Sequence, residues 1–132
     1  MNLIRTLALA SLLAGSATLA VAHHSFVAQY DPAKPKMISG SVTKVEWTNP
    51  HAHFYVDVKG ADGKVVNFAV EMGSTNKLMR YGWNRNTMKA GDQVTVEGFE
   101  ARDGTPLINA KSVKFADGRQ IAAGSSLEQA TY

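Results

Sequence analysis

Two histidines lie two residues apart in a segment whose residues alternate between polar and apolar. The polar set is His51, His53, Tyr55 and Asp57, and the apolar set is Ala52, Phe54, Val56 and Val58. Because strand side chains point alternately to opposite faces, the pattern predicts a strand with both imidazoles on its outward face. Their Cβ atoms would lie roughly 6.5–7 Å apart, which lets both rings reach one metal ion.

The remaining two histidines, His23 and His24, are adjacent near the N-terminus. Imidazole nitrogen suits copper, zinc and nickel. If His23 begins an exported chain, its α-amine and imidazole can chelate one Cu(II) ion, and His51 and His53 complete a nitrogen-rich set. The histidines therefore predict a Cu(II) site, with Zn and Ni as alternative metals. The competing interpretation is that the histidines are solvated and bind nothing.

The first residues have the pattern of a secretory signal peptide. A short positive segment ends at Arg5, an apolar run spans 7–19, and Ala20 and Ala22 stand at the −3 and −1 positions of a cleavage site. We predict a signal peptide at 1–22, a mature chain beginning at His23 and a periplasmic location. An uncleaved membrane anchor is the alternative interpretation. Without cysteine, the chain has neither a lipid attachment site nor a disulfide.

Length and charge limit the class of protein. The chain has 132 residues, enough for one domain, and a net charge of +3. Loss of Arg5 with the signal lowers that charge to +2, which is not the dense basic surface of a nucleic-acid-binding protein. No nucleic-acid partner is expected, and cleavage would leave no stable membrane anchor.

Alternating apolar patterns and turn residues divide the mature chain into strands and one short helix. Strands are predicted at 37–47, 52–58, 65–71, 93–99 and 106–115, with a short sixth segment near 120–121 and a helix within 72–82. Gly40 marks an expected bend or bulge. This order predicts an all-β fold with one short helix, an OB-like five- to six-stranded barrel at 37–123. An extended arm at 23–36 would precede it, and a flexible tail at 124–132 would follow. A β-sandwich ranks second.

A hairpin would bring an acidic residue to the histidines. The turn at 60–63 joins two alternating strands, and pairing Val58 with Lys64 buries both apolar sets together. In that register His51 lies opposite Glu71. Glu71 would then be either a metal ligand or an acceptor that orients the His51 imidazole.

Aromatic and basic residues offer a second kind of site. Trp47, Tyr55, Arg80 and Trp83 have the chemistry of a stacking surface on an OB barrel, which would suit a protein or glycan partner in the envelope. The competing interpretation is that the tryptophans cover the barrel ends. No Ser, His and Asp residues form a recognisable nucleophile motif, so the sequence does not predict an enzyme.

Several short motifs follow one another in a characteristic order. They are His23-His24-Ser25-Phe26, Trp47-Thr48-Asn49-Pro50-His51, Glu71-Met72-Gly73-Ser74, Arg80-Tyr81-Gly82-Trp83, Lys89-Ala90-Gly91-Asp92 and Val94-Thr95-Val96-Glu97-Gly98-Phe99. With these motifs the chain resembles an uncharacterised family of small exported bacterial proteins that contain a domain of unknown function. The resemblance implies a periplasmic β-barrel-like domain and no particular activity.

The exported protein is expected to begin at His23, because Ala20 and Ala22 satisfy the cleavage site and the residues that follow are too polar to insert into a membrane. Intact mass spectrometry of the exported protein measures this directly. A mass that still includes residues 3–19 would refute the prediction.

Overall fold

The computed structural model describes residues 26–127. The strands are β1 (Tyr30–Glu46), β2 (His53–Lys59), β3 (Val65–Glu71), β4 (Gln93–Ala101), β5 (Leu107–Phe115) and β6 (Gln120–Ala122), and helix α1 (Thr75–Arg80) lies between β3 and β4. Within this range, no helix is long and apolar enough to cross a membrane. The predicted signal peptide at 1–22, His23, His24 and the tail from 128 to 132 lie outside the described residues.

Five of the strands form a closed ring. The order in the sheet is β3-β2-β1-β4-β5-β6, and an additional pairing between β3 and β5 closes it. That pairing is parallel, whereas the other neighbouring strands are antiparallel. Strand β6 extends the sheet beside β5. The all-β, OB-like barrel predicted from the order of strands and helix is therefore confirmed.

The long first strand is shared between the two halves of the barrel. Its earlier part pairs with β4 and its later part with β2, and Ser41 pairs with both. Gly40 makes this change of partner possible, because a Cβ added there would lie 2.0 Å from the carbonyl oxygen of Asp57. The irregularity in the β1–β2 register lies between Val42 and Lys44 rather than at Gly40.

The barrel interior holds the predicted apolar side chains. Phe54, Val56, Val70, Val94 and Val96 are all buried, as the alternating pattern predicted. Phe68, which alternates with Val70 on the same face of β3, is partly buried and packs against the same core.

Three element boundaries differ from the sequence-based expectation. Strand β1 begins at Tyr30 instead of Met37, so the later part of the predicted arm is paired with β4. Helix α1 is shorter than 72–82, because Ser74 caps it and Tyr81 ends it. The tail predicted at 124–132 is packed against the protein where it begins, since Ser125 is fully buried.

The predicted register of the β2–β3 hairpin is wrong by two residues. Val58 pairs with Val66 rather than with Lys64, and Glu71 lies opposite His53 rather than opposite His51. A shift by two preserves the face on which every side chain lies. The predicted separation of apolar and polar faces is therefore still correct.

Phe54→Ala is expected to lower the free energy of unfolding by roughly 3–5 kcal/mol, because the ring fills the barrel interior. Chemical denaturation measures the effect. Val65→Ala is the control, since Val65 is exposed at the start of β3 and its truncation should change stability by less than about 0.5 kcal/mol. Equal midpoints for the two variants would mean that the faces of β2 have been assigned the wrong way round.

Candidate functional site

A buried carboxylate lies at the end of β3. The Glu71 residue is only 8% exposed, yet each of its oxygens has a polar neighbour. The Tyr30 hydroxyl donates a hydrogen bond to Oε2. At Oε1, the Nδ1 atom of His51 lies 2.8 Å away and the Nδ2 atom of Asn109 lies 3.5 Å away. We call Tyr30, His51, Glu71, Asn109 and Ser125 the Glu71 cluster.

The cluster lies on the outer face of the barrel wall. Strand alternation places Val70 and Ile108 in the interior, so the adjacent Glu71 and Asn109 point outward. These two residues are register partners in the parallel β3–β5 pairing that closes the ring. Closure of the barrel therefore brings the amide beside the carboxylate.

A second, smaller apolar cluster covers this outer face. Its buried members are Phe26, Tyr30 and Ala101, and Val27, Phe99, Leu107 and Leu127 pack against them. The ring centroids of Phe26 and Tyr30 lie 5.4 Å apart, and those of Phe26 and Phe99 lie 5.9 Å apart. The sequence just before β1 thus packs onto the wall and carries the Tyr30 hydroxyl to Glu71.

The segment after β6 reaches the cluster from the other direction. The Ser125 hydroxyl donates to Oδ1 of Asn109 at 2.6 Å. The same hydroxyl oxygen accepts from the backbone nitrogen of Leu127 at 3.2 Å. Hydrogen bonds through Asn109 therefore join Ser125 to Glu71.

His51 is positioned by the loop between β1 and β2. Asn49 accepts hydrogen bonds from the backbone nitrogen and the hydroxyl of Thr75, at 3.1 and 2.9 Å, which ties the loop to the start of α1. Directly after His51, the Ala52 nitrogen donates to the carbonyl of Gly73 at 3.0 Å. The imidazole is held against Glu71 on one side, while its side chain remains 43% exposed.

The Tyr30 hydroxyl is held in its protonated form. Burial raises the pKa of Tyr30 far above its usual value, and its hydrogen bond to Glu71 and the charge of that carboxylate raise it further. The phenol therefore acts as a hydrogen-bond donor at physiological pH, when the carboxylate accepts.

His53, the other histidine of the predicted pair, has different neighbours from His51. His53 is the register partner of Glu46 on β1 as well as of Glu71 on β3. The pKa of Glu46 lies below its usual range chiefly because Lys44 donates to it, and the charge of His53 adds a smaller contribution.

Among residues 26–127, no group of three or more His, Asp or Glu side chains is arranged to hold a metal ion. Of the predicted metal ligands, the structure brings His51 and Glu71 into direct contact.

The predicted stacking residues do not form one exposed surface. Trp83 is 3% exposed, and its indole nitrogen donates to the carbonyl of Ala122 at 2.8 Å. Its burial agrees with the interpretation that the tryptophans cover the barrel ends. Trp47 is partly buried against the same core, and Lys44 lies over the ring of Tyr55, with 5.6 Å between Nζ and the ring centroid. Arg80 is exposed.

Sequence reasoning missed the roles of Asn109 and Ser125. The signal for Asn109 is its position between Ile108 and Ala110 in an apolar strand, because a polar residue in such a strand must find a partner when it is buried. No comparable signal marks Ser125, which lies in a segment rich in small residues. The contact between Tyr30 and Glu71 was not predicted from the sequence either.

Residues 10–108 match a family of unknown function, DUF6152. The match covers most of the chain, so the protein belongs to this family. A comparison with curated proteins found no match. Most of the Glu71 cluster falls within the matched range, whereas Asn109 and Ser125 follow it.

Tyr30→Phe is expected to destabilise the fold by about 1–3 kcal/mol, because it removes a donor from a buried carboxylate. Chemical denaturation near neutral pH measures this loss. Tyr55→Phe is the matched control, since its hydroxyl bonds to the partly exposed Glu46 at 3.2 Å. Equal stability of the two variants would contradict the role assigned to Tyr30.

The same pair of variants tests the raised pKa of Tyr30. Above about pH 10 the unfolded chain loses the tyrosine proton, whereas the folded protein retains it. Wild-type stability should therefore fall as pH rises through this range. The difference in stability between the wild type and Tyr30→Phe should shrink accordingly, while Tyr55→Phe, which retains Tyr30, should still lose stability as the pH rises.

Proposed function

We propose that this protein is a small exported Cu(II)-binding protein that acts in the periplasm. The ligands are the imidazole of His51 through Nε2 and nitrogens of the N-terminal residues His23 and His24. The supporting observation is the 2.8 Å contact between Nδ1 of His51 and the buried carboxylate of Glu71. Zinc and nickel are the alternative metals, because they also accept imidazole ligands.

The contact with Glu71 prepares His51 for metal binding. When Nδ1–H donates to a carboxylate, the lone pair of the neutral ring is on Nε2, and the ring orientation is restrained. Histidine ligands of metals commonly use their second nitrogen in this way. The partial exposure of the side chain leaves Nε2 open to an incoming ion.

Glu71 serves better as the orienting acceptor than as a ligand. Its Oε2 accepts from Tyr30, and its Oε1 faces His51 and Asn109. Direct coordination would require the carboxylate to give up one of these partners inside the wall. We therefore assign Glu71 the orienting role, which is one of the two roles that the sequence left open.

The N-terminal histidines are close in sequence to a residue that packs on the cluster. Phe26 packs on Tyr30, whose hydroxyl bonds to Glu71. Consecutive Cα atoms are about 3.8 Å apart, so the Cα of His24 lies within about 7.6 Å of that of Phe26. A nitrogen-rich site can then include His23 or its α-amine, His24, His51 in the loop before β2 and His53 at the start of β2.

Isothermal titration of the mature protein with Cu(II) tests the proposal. Replacing both His51 and His53 with alanine is expected to weaken binding clearly, and Glu71→Gln should weaken it by about 10- to 100-fold through loss of orientation. Lys44→Ala is the control, because it alters the neighbouring strand without removing a proposed ligand. Binding should weaken as the pH is lowered, since protons compete with the metal for the imidazole nitrogens.

The outcomes separate the alternatives. Equal affinity of the wild type and the double histidine variant would confine any site to the N-terminus. If neither protein binds copper, zinc or nickel, the metal proposal fails. The alternative is then a metal-free envelope module that binds a protein or glycan through Trp47, Tyr55 and Arg80, without the buried Trp83. Native mass spectrometry of protein purified from the periplasm would report the bound metal and the N-terminus together.

A further inference from the structure

The positive charge of the chain is concentrated in one segment. Residues 72–91 contain Lys77, Arg80, Arg85 and Lys89 and no acidic residue. The whole chain has 14 basic and 11 acidic residues, so the remainder has 10 basic and 11 acidic residues and no net positive charge. The segment therefore accounts for the positive charge of the protein.

Three of these four charges have no ion-pair partner among residues 26–127, and two of the three are exposed arginines. Lys89 lies 3.3 Å from Asp92, and Lys77 directs its ammonium group at the carbonyl of Ser125. Arg80 and Arg85 are exposed and form no ion pair with any of residues 26–127. Both guanidinium groups are available to an external anion.

Large apolar side chains are exposed beside these arginines. Met79 is 52% exposed and Tyr81 is 41% exposed, one on each side of Arg80. We call Met79, Arg80, Tyr81 and Arg85 the basic patch.

The barrel holds the basic patch in place. Leu78, Trp83 and Met88 are buried in the main core. Met79 and Arg80 are the last residues of α1, and Tyr81 and Arg85 lie in the segment that follows it. Tyr81 and Arg85 are each two residues from Trp83, so their Cα atoms lie within about 15 Å of each other. The exposed groups therefore belong to one short segment whose backbone is anchored to the core on both sides.

We infer that the basic patch docks the protein reversibly onto an anionic lipid surface. The arginines pair with lipid phosphates, while Met79 and Tyr81 enter the boundary between headgroups and acyl chains. Tyrosine favours that boundary because its ring is apolar and its hydroxyl is polar. The absence of a carboxylate from residues 72–91 means that nothing in the segment repels anionic headgroups. This inference does not depend on metal binding.

The features of the patch favour a lipid surface over an acidic peptide. A peptide needs a groove, and three cavities of the described chain, two beside β4 and β5 and one beside Ala28, are lined by residues outside the patch. The exposed side chains of Met79 and Tyr81 lie next in sequence to Arg80. This combination suits an anionic membrane, whose surface is charged and whose interior is apolar.

Vesicle flotation with the exported protein, after its N-terminus has been established by intact mass, tests the inference. Vesicles of phosphatidylcholine with about 30% phosphatidylglycerol should bind the protein, while pure phosphatidylcholine should not. Arg80→Gln with Arg85→Gln should weaken binding by about 30-fold, since each arginine near an anionic surface contributes about fivefold. Met79→Ser with Tyr81→Ser should also weaken it.

Lys59→Gln with Lys64→Gln is the charge-matched control. These lysines are exposed at the hairpin end of β3, about 20 Å along the strand from α1, so binding should persist. Unchanged thermal midpoints would show that all variants fold. The inference is overturned if the wild type does not bind anionic vesicles or binds neutral ones equally well. It is also overturned if the hairpin variant loses as much affinity, which would indicate attraction by overall charge, or if the Met79 and Tyr81 variant binds like wild type, which would mean that these side chains do not enter the lipid.

Discussion

The burial of the Glu71 carboxylate is the constraint on which the arrangement of the barrel wall depends. A buried charge is costly unless donors replace the water it has lost. Here the donors come from distant parts of the chain: Tyr30 at the start of β1, His51 in the loop before β2 and Asn109 in β5. Satisfying one side chain therefore orders three segments at once.

The closure of the barrel is what makes this arrangement possible. Gly40 lets β1 pass close to the backbone of β2, so that one long strand serves both halves of the sheet. The ring then closes through the parallel pairing of β3 with β5, which sets Glu71 beside Asn109. Ser125 bonds to Asn109, so the segment after β6 also depends on the closure. The cluster thus lies where the two ends of the described chain meet the wall.

The same geometry separates two surfaces with different chemistry. On the wall, a buried carboxylate restrains a half-exposed imidazole, which is the arrangement that nitrogen ligation of a metal favours. Around the buried Trp83, exposed apolar side chains and two arginines that form no ion pair with residues 26–127 make up the basic patch. The family to which the protein belongs is of unknown function, so proposals about activity rest on these two sites. A protein that binds a metal at His51 and a lipid surface through the basic patch would carry its metal close to the membrane.

Local sequence patterns determined most of the secondary structure. Alternation along β2 and β3 placed Phe54 and Val70 inside and the histidines outside, because a strand has a side-chain period of two. Turn residues located the hairpin at 60–63, and the order of strands and helix predicted the OB-like ring. Export and cleavage at residue 22 remain predictions from the sequence.

Tertiary structure alone decided the site. The pairing of Val58 with Val66 was not predictable, since a shift by two residues leaves every side chain on the same face and the apolar pattern cannot distinguish the two registers. The neighbours of Glu71 were equally inaccessible, because Tyr30 and Asn109 are 41 and 38 residues away and meet it only when the ring closes. Local propensities act over a few residues, whereas a buried carboxylate selects its partners from whatever the closed barrel brings within hydrogen-bond distance.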